Sequence, residues 1–142
     1  MNAREYLEQA YHLDQQINSK IEQVESLHAL ATKATATMND SPVQQTRNAH
    51  SMEDVILNII NLENEINEDI DRLVDLKRDI TRTLNLMENA ELRTLLEKRY
   101  LCMKTWEEIG LEMHFTVRWA HRVHSDALRS LDDILAKKVP KK

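Results

Sequence analysis

Residues 52–87 read MEDVILNIINLENEINEDIDRLVDLKRDITRTLNLM, and the apolar side chains of this stretch decide the fold. They recur three or four positions apart from Met52 to Met87, with no Gly or Pro between them. The mean spacing of about 3.5 residues is typical of helices that supercoil left-handedly around a partner. The stretch therefore predicts one long coiled-coil helix.

A second apolar series with the same spacing runs from Ala3 to Met38. The tetrapeptide Asn39-Asp40-Ser41-Pro42 and a polar segment up to Ser51 separate the two series, and Ser51 followed by Asp54 resembles a helix N-cap pair. Two helices of equal length joined by a polar segment favour an antiparallel helical hairpin. Residues 1–88 are thus predicted to form a coiled-coil hairpin for oligomerisation or partner docking.

The stalk formed by residues 1–88 is also expected to assemble with further copies of the chain. A two-helix hairpin with many alanines along one seam buries little apolar area, so each helix could instead pair with a second copy. A homodimer or higher homo-oligomer is expected in either case.

The composition favours an all-α protein and an uneven distribution of charge. The 142 residues include one Gly and two Pro, and the net charge is −5. Residues 1–96 hold nine basic and 17 acidic residues, a net charge of −8, whereas residues 97–142 hold ten basic and seven acidic residues, a net charge of +3. An acidic stalk is therefore followed by a mildly basic head.

Cysteine content and hydropathy indicate a soluble cytoplasmic protein. Cys102, the single cysteine, has no intrachain disulfide partner. No apolar run approaches the roughly 20 residues that span a bilayer, and the N-terminus has no signal-peptide pattern. We expect no contact with a membrane.

Residues 89–142 are predicted to form a helix-turn-helix head with a basic tail. After a helix over residues 90–102, Thr105 and Glu108 form a capping box before a short helix. The turn His114-Phe115-Thr116 follows, and Thr116 is expected to cap the next helix. Gly110 lies inside the short helix, where it costs roughly 1 kcal/mol relative to Ala, which indicates close helix packing.

The head resembles region 4 of bacterial sigma factors, and more closely the sigma-region-4-like regulators of Gram-positive phages and prophages, which are related to phage late-operon activators. The segments that carry the resemblance are LEKRY at 96–100, TWEEIG at 105–110, FTVR at 115–118 and HSDAL at 124–128. Many sigma-like heads have an aliphatic residue where His124 stands, but the phage variants often have histidine there. The resemblance covers roughly residues 91–135 and implies DNA binding at a promoter or operator through the helix from Val117.

Successive residues of an α-helix are rotated by about 100° around its axis. If Ala120 is taken to face inward, this rotation divides the last helix into two faces. Val123, His124, Ala127 and Leu131 fall inward, whereas Arg118, Arg122, Ser125 and Arg129 fall outward. The predicted DNA-binding residues are Thr116, Val117, Arg118, His121, Arg122, Ser125 and Arg129.

Within this set we assign the reading of bases to Arg118 and Arg122, flanked by Val117 and His121. Thr116 would cap the helix and touch a phosphate, and Arg129 would hold the DNA backbone. The tail lysines would also contact the backbone, and they are Lys137, Lys138, Lys141 and Lys142. The plainer alternative is that this charged face is only solvated.

The sequence offers no mechanism for an enzyme. It has no Gly-rich phosphate loop, nucleophile elbow or evident Ser/His/Asp constellation. His121 and His124 could approach a metal with Cys102 or His114, but His121 is more simply a polar or DNA-facing residue and His124 a hydrogen-bonded, partly buried one. We expect no cofactor and no metal.

The sequence thus predicts a sequence-specific regulator that binds double-stranded DNA, with a stalk that dimerises it or contacts RNA polymerase. A phage DNA-packaging protein of the small-terminase kind is a structural alternative, since such proteins also join a helix-turn-helix to oligomerising helices. A third alternative is a protein-interaction module that never touches DNA, because the head has a net charge of only +3.

Overall fold

The computed structural model describes residues 1–36 and 42–138, apart from the side chains of 42–50 and 138. This part of the chain is all-helical and contains no strand, which confirms the predicted all-α class. The helices are α1 (Ala3–Ala36), α2 (Pro42–Leu84), α3 (Ala90–Leu96), α4 (Trp106–Met113) and α5 (Val117–Lys138). A π-helical turn, Glu97–Leu101, continues directly from α3.

The start of α2 differs from the prediction. Ser51 lies inside the helix and does not cap it, because α2 begins at Pro42. Proline suits the first position of a helix, where its φ angle is already helical and no N–H is needed, and residues 43–50 contain no Gly or Pro to stop the helix. The predicted break at Asn39-Asp40-Ser41 lies outside the described residues.

One compact unit comprises Asp14–Arg72, from α1 and α2. Ile17 and Ile59 are its buried apolar residues among those described, and Asp69 is a buried carboxylate. Lys20 Nζ donates to Asp69 Oδ2 at 2.6 Å, and Arg72 donates to the other carboxylate oxygen. The hydrogen bond from Lys20, and after it the one from Arg72, lowers the pKa of Asp69. The buried carboxyl group is therefore ionised and paired with these two cations.

Several large apolar residues of this unit remain exposed. They are Ile21 and Leu30 of α1, and Ile56, Leu57, Ile60 and Ile70 of α2. The unit therefore leaves part of its apolar surface in water, which costs free energy roughly in proportion to the exposed apolar area.

The second compact unit comprises Met1–Leu13 together with Leu73–Lys142. Its buried apolar residues come from each helix: Ala3, Leu7 and Ala10 of α1, Leu73, Ile80 and Leu84 of α2, Leu95 and Leu96 of α3, Ile109 of α4, and Ala120, Val123, Ala127, Leu128 and Leu131 of α5. The backbone N–H of Ala3 donates to Asp132 Oδ1 at 2.6 Å, and the hydroxyl of Tyr6 is hydrogen-bonded to Asp79 and Thr83. The start of α1 and the end of α2 thus pack with the three shorter helices.

The junction between α4 and α5 depends on Gly110. His114 ends α4 in the left-handed conformation, with φ 60° and ψ 40°, and the N–H of Phe115 donates to Gly110 O at 2.7 Å. A Cβ atom on Gly110 would lie 2.8 Å from Phe115 O, closer than side chains tolerate. The predicted packing role of this glycine is thereby explained: it lets the chain fold back against α4 within three residues.

Candidate nucleic-acid interface

The predicted caps of α4 and α5 are both present. The Thr105 hydroxyl accepts from the N–H of Glu108, whose side chain accepts in turn from the N–H of Thr105, as a capping box requires. The Thr116 hydroxyl accepts from the N–H of Trp119 at 3.0 Å. Thr116 thus fixes the first turn of α5, and the side chains of that turn have defined directions.

The two faces of α5 divide as the helical periodicity predicted. Ala120 and the four residues expected to face inward are buried, namely Val123, His124, Ala127 and Leu131. The opposite face is exposed and includes Arg118, Arg122, Ser125 and Arg129, and the flanking residues Val117 and His121 are exposed as well. The structure therefore brings the predicted site residues of α5 together on one solvent-facing surface.

The three arginines of this surface differ in their neighbours. Arg129 pairs with Asp126 at 2.8 Å, which offsets part of its charge. The guanidinium of Arg122 lies 5.8 Å from the centroid of the Trp119 ring. No ion pair joins Arg118 to any residue that the structure describes. The uncompensated positive charge is consequently concentrated near the N-terminus of α5.

Two other predicted site residues have additional roles inside the protein. The Ser125 hydroxyl donates to His121 O at 3.3 Å along the helix. The His121 ring, although exposed, lies 4.4 Å from the Trp106 ring, centroid to centroid. Of the predicted tail contacts, Lys137 is exposed, whereas the side chain of Lys138 and residues 139–142 lie outside the described part of the chain.

His124 anchors α5 to the rest of the head. Its Nε2 atom is hydrogen-bonded to the Tyr100 hydroxyl at 2.8 Å, and its ring meets Trp106 edge-on at 4.7 Å. Burial lowers the pKa of His124 to about 4, and the positive charges of Arg4, His121 and Arg99 act in the same direction. The prediction of a hydrogen-bonded histidine at this position is confirmed, and the ring is neutral at pH 7.

The charges beside α4 are largely paired. Glu112 accepts from Lys98 Nζ and Lys104 Nζ, each at 2.7 Å, and these hydrogen bonds lower its pKa. Glu107 and Glu108 are exposed in the first turn of the same helix. The surface of α4 is therefore less suited to a polyanion than the arginine-bearing surface of α5.

Trp119 is a surface residue that the sequence analysis did not single out. Its side chain is 47% exposed in the first turn of α5, beside Arg118 and within reach of Arg122. The periodicity contained a signal for it, because Trp119 lies about 100° from Ala120 and so at the border of the buried face. A large apolar residue at such a border is usually predicted to be buried, so the pattern alone does not predict that Trp119 is exposed.

Comparison with family models, with curated proteins and with solved structures produced no significant match to this chain. Among the side chains that the structure describes, those of residues 1–36 and 51–137, no group of three His, Cys, Asp or Glu is placed to hold a metal ion. None of the helices described is both long enough and apolar enough to cross a membrane.

Proposed function

We propose that the protein is a sequence-specific regulator that binds double-stranded DNA. In this proposal α4, the three-residue turn and α5 form a helix-turn-helix, and the first turns of α5 enter the major groove. The observation that carries the proposal is the exposed, uncompensated positive charge of Arg118 and Arg122 at the start of α5. A guanidinium group can donate two parallel hydrogen bonds to the edge of a guanine or to a phosphate. The major groove is wide enough to admit an α-helix.

The geometry around α5 also supports a reading role. The cap from Thr116 and the hydrogen bond between Tyr100 and His124 hold the helix from its start and from its buried side. A helix held in this way presents its outward side chains in one geometry, as base recognition requires. The resemblance of roughly residues 91–135 to sigma region 4 supports a promoter or operator as the target, with RNA polymerase as a further partner in the cytoplasm.

We further infer that Asp14–Arg72 acts as an antiparallel coiled coil that joins copies of the chain. The contacts of Lys20 with Glu65 at 3.3 Å and with Asp69 at 2.6 Å support side-by-side packing of α1 and α2. The exposed Ile56 and Ile60 support association with a second copy, since burying them would remove apolar surface from water. Native mass distinguishes a regulatory dimer from the closed ring expected of a packaging protein.

The test of the proposal is selection of bound fragments from a double-stranded DNA library, followed by titration of the selected site at several salt concentrations. With about four phosphate contacts, affinity should fall about 100-fold between 50 and 200 mM salt. A scrambled duplex of the same length should bind far more weakly at each salt concentration. Failure to enrich any duplex, or an affinity that ignores salt, would exclude this function and favour a protein partner for the head.

A further inference from the structure

The two tryptophans of the chain have opposite surroundings. The Trp106 ring packs against the rings of His121 and His124, and the guanidinium of Arg99 lies 4.8 Å from its centroid. Trp119 is 47% exposed, and the guanidinium of Arg122 lies 5.8 Å from its ring centroid. Covering the exposed apolar surface of a half-exposed indole removes it from water and is therefore favourable.

The backbone of Trp119 is also fixed in position. Its backbone N–H donates to the Thr116 hydroxyl, so it belongs to the capped first turn of α5. Arg118 precedes it directly, and Arg122 lies one turn further along the helix. Trp119 and Arg122 lie about 60° apart around the helix axis, so the indole flanks the arginine face and borders any groove that Arg122 enters.

We propose that Trp119 determines specificity by packing against the 5-methyl group of a thymine. This inference rests on the proposed function and deepens it. The indole has a broad apolar surface, one N–H donor and no acceptor, so it cannot provide the paired hydrogen bonds that identify guanine or adenine. The thymine methyl group is the apolar feature of the major groove, and apolar side chains recognise it by contact.

The experiment replaces each thymine of the selected duplex, one at a time, by deoxyuridine. This change removes the methyl group and leaves base pairing intact. For the unaltered protein, one replacement should weaken binding about fourfold, the effect expected of one buried methyl group. For Trp119→Ala the same replacement should have no effect, whereas Trp119→Phe should retain part of it.

The matched control is Leu86→Ala, since Leu86 is an apolar side chain that is 57% exposed and lies outside α4, the turn and α5. It should bind like the unaltered protein and keep the full deoxyuridine effect. The inference is overturned if no replacement weakens binding of the unaltered protein, a result that does not depend on any variant folding. It is also overturned if Trp119→Ala shows the same loss, or if the protein prefers single-stranded DNA, where the indole would stack on a base.

These outcomes separate the inference from the proposed function. If a duplex binds in a salt-dependent manner but shows no deoxyuridine effect, the role proposed for Trp119 is wrong and the proposed DNA-binding function stands. If no duplex is selected from the library, the proposed DNA-binding function itself is wrong.

Discussion

The hydroxyl oxygen of Tyr100 and the Nε2 atom of His124 lie 2.8 Å apart and join the π-helical turn to α5 through a buried hydrogen bond. Because His124 is buried, and because the positive charges of Arg4, His121 and Arg99 act on it, its pKa is about 4 in the folded protein, against 6.5 ordinarily. The folded state therefore binds fewer protons than the unfolded state between these pH values.

It follows that the protein should lose stability as the pH falls. Neutral His124 leaves the free energy of unfolding at its full value above pH 6.5. As the pH falls from 6.5 to 4, the free energy of unfolding decreases progressively, by about 3 kcal/mol in total. Urea unfolding at pH 7 and pH 4.5 measures the loss. His124→Gln can still hydrogen-bond to Tyr100 but does not titrate, so it should lose clearly less stability over the same range. An equal loss in this variant would contradict the assignment.

Gly110→Ala should destabilise the protein although alanine is the better helix former. Its Cβ atom would meet Phe115 O at 2.8 Å, and the backbone of the turn would have to move. We expect a cost of about 1 to 3 kcal/mol instead of the gain of about 1 kcal/mol that an unhindered helix position gives. Thermal unfolding of the two proteins shows whether the substitution lowers or raises stability. Leu111→Ala, at the exposed neighbouring position, should change stability little, and a Gly110→Ala protein more stable than the original would contradict the close approach.

Ile60→Asp should weaken assembly and leave the helices intact. Ile60 is 47% exposed, so an aspartate there meets water in a single copy but is buried without a partner in an oligomer. Light scattering over a concentration series reads the mass, and circular dichroism reads the helix content. Asn61→Asp adds the same charge at an adjacent exposed position and serves as the control. A mass that corresponds to one chain at high concentration for the original protein would refute self-association.

Arg118→Ala and Arg122→Ala should each cost about 1 to 3 kcal/mol of binding to the selected site and relax its base preference. Arg82→Ala removes the same charge from an exposed position of α2 and should leave binding nearly unchanged. Fluorescence anisotropy with the selected and scrambled duplexes measures both effects. Normal binding by both α5 variants, with normal folding, would show that this face of α5 does not read DNA.

The amino-acid sequence by itself determined the features that depend on neighbours within about one helical turn. The 3.5-residue spacing predicted long helices, Thr105 with Glu108 predicted the capping box, and the pattern around Ala120 predicted the buried face of α5. Such features follow from contacts between residues three or four positions apart, which are visible in the order of residues. The start of α2 differs from the prediction because the polar segment before Ser51 is typical of a loop in composition but contains nothing after Pro42 that stops a helix.

Tertiary structure alone decided the features that depend on residues far apart in the chain. It placed Leu7 and Ile80 in one compact unit with α3, α4 and α5, and it exposed Trp119 while burying the bond between Tyr100 and His124. Periodicity shows that a helix has an apolar face but not which helix covers it. That choice depends on the shapes of whole helices packed together, so the periodicity placed Trp119 at the border of the buried face and the packing of the helices decided its exposure.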